Sequence, residues 1–243
     1  MKIVLANSKD EAIRTVASMV NEKISDHPSA VIGLATGKTM IPMYQTWVEM
    51  AREQNVDFGQ ASFFMLDEYS GISKDHPSSF CSYIRKHLLS PLNIKESQIE
   101  FPPAQMSSPL EASLQYENKI KSLGGIDLQL LGIGQNGHIG FNEPGSSKNS
   151  RTRKIKLSDE TIAVNSVDFE GEMPSEALTM GIETILEAKS LLMLVTGKSK
   201  ADAVKYLLNH HEDSSCPATF LKNHPHFTLV LDPDAASKIN LNI

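Results

Sequence analysis

His138 and Glu143 share the segment "GIGQNGHIGFNEPG", residues 132–145, with Asn136 and Asn142. An imidazole held by a carboxylate is a proton-transfer pair that works near neutral pH. The competing reading is a structural loop histidine. The same segment contains Gly132, Gly134 and Gly137 in a G-x-G-x-x-G pattern. In a dinucleotide fold such glycines join a strand to a helix whose N-terminus holds a pyrophosphate. An apolar run over residues 126–133 supplies the strand. The helix is missing, because Gly140, Pro144 and Gly145 interrupt the segment and residues 146–149 are polar and turn-like. The segment therefore reads as a strand end that presents side chains.

Three further segments have the same character. In "FFMLDEYSG", Asp67 follows an apolar run directly, where a partly desolvated carboxylate suits a general base; the alternative is an Asp that caps the next turn. "ATGKT" (Thr36, Gly37, Lys38, Thr39) places small residues where backbone N–H groups and a helix dipole could hold a phosphate. It lacks the glycine spacing of a nucleoside triphosphate loop, and the alternative is a helix N-cap by Thr36 or Thr39. "TGKSK" puts Lys198 and Lys200 at a helix start, where they oppose the dipole unless an anion is bound; otherwise two exposed lysines are simply tolerated.

These segments need a frame that gathers strand ends. Apolar runs at residues 2–6, 30–35, 61–66, 126–133, 191–195 and 227–231 read as strands, several of them continuously apolar as in parallel sheets covered on both faces. Helical patterns lie between them at 9–24, 41–54, 79–89, 109–123 and 198–209. Ser8 with Glu11 forms a capping box for the first, and Ser108, Pro109 and Glu111 open the fourth, which ends at Gly124-Gly125. Alternating strands and helices predict an α/β fold with a doubly wound, mostly parallel sheet, Rossmann-like, with helices on both faces. Ligands of such sheets bind beyond the carboxyl ends of the strands. No repeat, low-complexity tract or linker divides the 243 residues, so one domain over 1–243 is expected.

Composition bounds the function classes. Hydrophobic residues are 40% and charged residues 21%, enough for a large core. The net charge of −6 lacks the basic footprint of a nucleic-acid binder. Residues 151–156 form a short basic cluster that reads as a solvated loop or lid. No run approaches the ~20 apolar residues needed to span a bilayer, and the N-terminus is too quickly polar for a signal peptide. Cys81 and Cys216 have neither metal spacing nor a disulfide framework and read as small buried hydrophobes. A reduced, cytoplasmic setting is expected. The histidines at 210, 211, 224 and 226 lack a convincing third ligand, so no metal is expected.

"LATGKT", "LDEYSGISKDHPSSF", "GIGQNGHIGFNEPG", "ALTMGIETIL" and "GKSKADAV" stand in the order of the glucosamine-6-phosphate deaminase family, which the chain resembles over essentially its whole length. "FNEP" with Glu143 favours this branch over the related 6-phosphogluconolactonases. The resemblance implies an aldose–ketose isomerisation of a hexosamine 6-phosphate coupled to loss of ammonia, without metal or cofactor. It implies that Asp67 moves the proton between C2 and C1, that His138 assists ring opening, and that Glu143 supports His138. Thr36, Gly37, Lys38 and Thr39 match the phosphate loop, and Lys200 matches a phosphate-binding lysine.

Several departures stand out. Asn136 replaces an aspartate paired with the histidine in many members; an amide can orient an imidazole but stabilises its cation less than a carboxylate does. Val167 replaces a phosphate-binding arginine, and Lys38 with Met40 replaces a small residue and proline, which suggests one cation exchanged for another. Ile155 stands where allosteric, larger members carry a lysine, and their C-terminal extension is missing, so weak regulation and a monomer or small homo-oligomer are expected. Similarity to galactosamine-6-phosphate enzymes around "LLMLVTGKSKADA" and "CPATFLKNH" keeps the C4 epimer, and tagatose 6-phosphate as product, as an alternative. A lactonase and a sugar-phosphate sensor are weaker readings. Glu143 disfavours the lactonase, and a sensor has no use for Asp67, His138 and Glu143 together.

Overall fold

Burial of nearly unbroken apolar strands builds the frame. The computed structural model describes residues 1–106 and 108–239. In chain order the elements are β1 (Lys2–Leu5), α1 (Lys9–Asp26), β2 (Val31–Leu34), α2 (Met40–Glu53), β3 (Ser62–Met65) and β4 (Asp67–Tyr69). Helix α3 (Phe80–Ile84) passes through a π turn (Arg85–Leu89) into α4 (Ser90–Leu92). There follow β5 (Ile99–Glu100), α5 (Pro109–Ser122), β6 (Leu128–Leu131), β7 (Arg153–Lys156), α6 (Asp159–Asn165), β8 (Glu176–Thr179) and α7 (Ile182–Leu186). The described chain closes with β9 (Leu191–Val195), α8 (Ala201–Asn209) and β10 (Phe227–Leu231).

Seven strands form one sheet in the order β1-β10-β9-β6-β2-β3-β5, every pairing parallel. Every residue of β2, β6 and β9 is buried, as parallel strands covered on both faces require. From β2 the sheet grows through β3 to β5; from β6 it grows the other way, through β9 to β10. The winding reverses between β2 and β6, which makes their carboxyl ends the topological switch point. The doubly wound α/β frame is as expected.

A second sheet is a difference from expectation. β4, β8 and β7 pair antiparallel in the order β4-β8-β7. The basic cluster 151–156, read as a solvated loop, contributes β7: Arg153 pairs with Thr179 and Lys156 with Glu176. Lys154 is ion-paired with Glu176 at 2.5 Å, which places its charge on a polar strand face. A separate small core of Tyr69, Ile72, Phe141, Leu157 and Ala177 packs under this sheet. Smaller differences concern helix ends. Ser8 caps α1 by accepting from the Glu11 N–H, but the Glu11 carboxylate reaches back to Asn7 rather than closing a capping box on Ser8. Cys81 and Cys216 are both buried and free.

Candidate active site

Four strands adjacent in the sheet, β9, β6, β2 and β3, carry the four sequence segments at their shared carboxyl edge. β3 leads through Leu66 into Asp67, which is 5% exposed. Leu66 is held on both sides: its N–H donates to Leu34 O, and its carbonyl accepts from the Met180 N–H. Asp67 opens β4 opposite Thr179, so it is fixed at the seam between the two sheets. Among the described residues no side chain or backbone donor bonds to its carboxylate. Burial, then the neighbouring Glu68 carboxylate, raise its pKa to about 8. Glu68 points elsewhere. Its carboxylate accepts from the N–H groups of Tyr69, Phe80 and Cys81, tying β4 to the start of α3.

The loop after β6 answers the question raised by its glycines. A Cβ at Gly134 would lie 2.3 Å from the His138 ring, so the imidazole folds back onto its own loop and only glycine fits. A Cβ at Gly140 would meet Asp67 Oδ2 at 3.2 Å, which puts the loop against the Asp67 carboxylate. Gly134 thus makes room for the His138 ring, and Gly137, where a Cβ would lie 2.2 Å from Cys216 Sγ, makes room for the segment beneath the loop. The next element is β7 rather than a helix, so no helix N-terminus is there for a pyrophosphate. The loop is braced from below by the segment around Cys216: Ala218 N–H donates to Gly137 O (2.9 Å) and Gly145 N–H to Ser214 O (2.7 Å). It is braced from β7 by Arg153, which donates to Asn142 Oδ1 at 2.8 Å while Asn142 donates to Ile139 O and Met180 O.

His138 Nδ1 lies 3.5 Å from Glu143 Oε2, buried and with no closer partner among the described residues. Glu143 accepts from Thr161 Oγ1 on Oε1 (2.5 Å) and from Asn136 Nδ2 on Oε2 (2.9 Å). Burial works to raise the Glu143 pKa, but His138, Thr161 and Asn136 outweigh it and hold it near 2. Asn136 differs from expectation. Its side chain bonds Glu143 and, through Oδ1, the His138 backbone N–H (3.2 Å), so it orients the carboxylate and the turn rather than the imidazole.

The loop after β2 is open to an anion. Gly37 has φ +114° with free space where a Cβ would stand, and Thr39 occupies the N-cap of α2 without a side-chain cap bond. The N–H groups of Gly37, Lys38 and Thr39 point to no acceptor among the described residues; the capping alternative for Thr39 is therefore not realised. Tyr83 holds the loop by donating to Gly37 O at 3.0 Å. Lys38 itself lies outward, with Nζ 2.8 Å from Asp168 Oδ2. After β9, the Gly197 N–H is tied to the carboxylate of buried Asp232, the residue that follows β10 (3.0 Å). Lys200 is half-buried without a carboxylate partner among the described residues, and burial lowers its pKa.

Sequence reasoning missed Thr161, Asp168 and Asp232. All three act through partners far away in sequence, so no local pattern marks them. Two open clefts among the described residues lie elsewhere, one at the amino ends of β1, β6, β9 and β10 and one beside α5 and α7. Convergent chemistry, not depth, identifies the site. Among the described residues no three His, Cys, Asp or Glu side chains are placed to hold a metal, and no helix is long and apolar enough to cross a membrane.

Known proteins resemble the chain over nearly its whole length. The glucosamine-6-phosphate deaminase of Alkaliphilus metalliredigens is 41% identical over 241 residues, covering 98% of this chain and 100% of that protein. That of Hahella chejuensis is 43% identical over 243 residues, covering 99% of this chain and 93% of that protein. The solved structure of a monomeric glucosamine-6-phosphate deaminase superposes with TM-score 0.95 at 38% identity, over 98% of this chain and 100% of that one. A 6-phosphogluconolactonase from Trypanosoma cruzi, at 20% identity and TM-score 0.77 over 99% of this chain and 97% of that one, shares the fold. Residues 6–230 match the glucosamine-6-phosphate isomerases/6-phosphogluconolactonases, and the chain belongs to that family.

Proposed function

We propose that the chain is a hexosamine-6-phosphate deaminase, an aldose–ketose isomerase that converts glucosamine 6-phosphate and water to fructose 6-phosphate and ammonia. The observation that carries this reading is the pairing, at one sheet edge, of a donor-free buried carboxylate with a histidine–glutamate loop. Isomerisation needs one base that reaches two carbons, and ring opening needs a separate proton shuttle. Asp67 is the base and the His138 loop the shuttle.

The 6-phosphate sits on Thr36, Gly37, Lys38 and Thr39, at the N-terminus of α2, with Lys200 as a second cation. His138, steadied by Glu143 and Asn136, takes the proton from the C1 hydroxyl and supplies one to the ring oxygen as the C1–O5 bond breaks. Asp67 then removes the C2 proton and returns it to C1. The C2 amine becomes an imine, which water hydrolyses to the ketone with release of ammonia. The reading extends to a monomer, as in the 38%-identical deaminase.

The exchange of an arginine at Val167 for Lys38 keeps galactosamine 6-phosphate as the second substrate to test. Ammonia release from the two epimers, measured side by side, decides between them. Faster turnover of the glucosamine sugar is expected. No ammonia from either would overturn the reading.

A further inference from the structure

Thr161 occupies the first turn of α6, after the N-cap Ser158, and is 9% exposed. Its backbone N–H donates to Ser158 Oγ at 3.1 Å, which completes the helix cap. Its hydroxyl does something the helix does not require. It accepts from Ser158 Oγ at 3.0 Å and donates to Glu143 Oε1 at 2.5 Å, eighteen residues back in the chain.

A glutamate carboxylate turns easily about its last torsion, which is broad and two-fold. Asn136 anchors only Oε2, the oxygen that faces His138. A carboxylate pinned at one oxygen still swings; pinned at both, its plane is fixed. We propose that Thr161 is a positioning residue for ring opening: its hydroxyl locks Oε1 of Glu143, so that Oε2 stays turned toward the His138 imidazole. The inference rests on the reading of Glu143 given above.

The lock also joins separate parts of the fold. α6 packs Ile162 against the small core that holds Tyr69 and Phe141, and Asn165 at its end donates to the Tyr69 hydroxyl at 3.2 Å. Docking of α6 and orientation of the acid are thereby one event. The charge-assisted bond from a neutral hydroxyl to a carboxylate is of the stronger kind, and a low-dielectric site makes it count for more.

The test compares Thr161→Val, Thr161→Ser and Glu143→Gln. Valine keeps the shape and the cap N–H and removes only the hydroxyl. With glucosamine 6-phosphate, Thr161→Val should lower kcat about tenfold, as loss of a bond to a charged group implies, with KM unchanged. An analogue lacking both the C4 and C5 hydroxyls can close neither a furanose nor a pyranose ring, and its turnover by Thr161→Val should match wild type. Thr161→Ser should restore the rate. A Thr161→Val enzyme at wild-type rate, or a serine variant as slow as the valine one, overturns the role of Thr161 when Glu143→Gln is slow. Glu143→Gln at wild-type rate overturns the reading of Glu143 and this inference with it.

Discussion

Asp67 and Glu143 belong to one site, and their surroundings drive them apart. Asp67 follows an apolar strand and opens β4 at the seam of two sheets; burial and then Glu68 raise its pKa to about 8. Glu143 lies in a polar loop. Burial opposes its charge too, yet His138, Thr161 and Asn136 hold it near 2. Both carboxylates are desolvated, and only one is given donors. Supply of hydrogen bonds, rather than burial alone, decides which acid keeps its charge and which becomes a base poised above neutrality.

Removing the base should have the largest effect. Asp67→Asn should reduce turnover about 10²–10⁴-fold while leaving substrate binding intact. Activity within a few-fold of wild type would break the contrast at its centre. The same carboxylate dictates a pH dependence. It must be ionised to act, so kcat/KM should rise with pH through about 8. The bound substrate's ammonium favours the anion, so the limb in kcat should fall at lower pH. Stability has the opposite sign. A folded-state pKa raised above the unfolded one stabilises below the unfolded pKa and is lost as pH rises through the folded value. The Tm of Asp67→Asn relative to wild type should therefore improve from about pH 6 to about pH 9.

His138 tests the other side of the contrast. His138→Gln should slow the closed pyranose about tenfold or more, and the open-chain analogue lacking the C4 and C5 hydroxyls much less. Equal losses on both would move His138 to another step.

The strand ends were legible because each follows a continuous apolar run, and parallel sheets put such ends on one edge. Asp67, His138, Glu143, Lys200 and the loop at Thr36 were all readable for that reason. The small sheet was not. β7 is a basic stretch and β4 is only Asp67, Glu68 and Tyr69, so neither has an apolar period to read. Their strand character comes from pairing with β8, a tertiary effect. Asn136 was found but assigned to the imidazole, because spacing shows proximity and not which atom of a neighbour a side chain meets. Thr161 and Asp232 were invisible because their partners are set by topology alone.

The cations repeat the contrast seen in the acids. Lys200 is half-buried and unpaired among the described residues, whereas Lys38 is exposed and already holds Asp168 at 2.8 Å. Asp168 directly follows Val167, so Lys38 brings its ammonium next to the position where the resemblance leads one to expect an arginine. A charge-assisted phosphate contact is worth about 1.5–3 kcal/mol, and about 1.4 kcal/mol is tenfold in affinity. Lys38→Ala should raise KM for the phosphorylated sugar about tenfold and leave the unphosphorylated amino sugar unaffected. An unchanged KM would mean that the loop amides and Lys200 suffice.

Asp168 gives the smallest and sharpest test. If Lys38 serves the phosphate, Asp168 is a competitor that must be displaced when substrate arrives. The pair is exposed on both sides, so it is weak and easily exchanged for a dianion. Asp168→Asn keeps the size of the side chain and removes its charge. KM should then fall roughly two- to fivefold, the range implied by a surface ion pair. The gap between variant and wild type should shrink as salt is added, because screening weakens the pair before substrate does. A KM that rises in Asp168→Asn would instead mean that Asp168 holds Lys38 in place for the phosphate, making the pair a support rather than a rival.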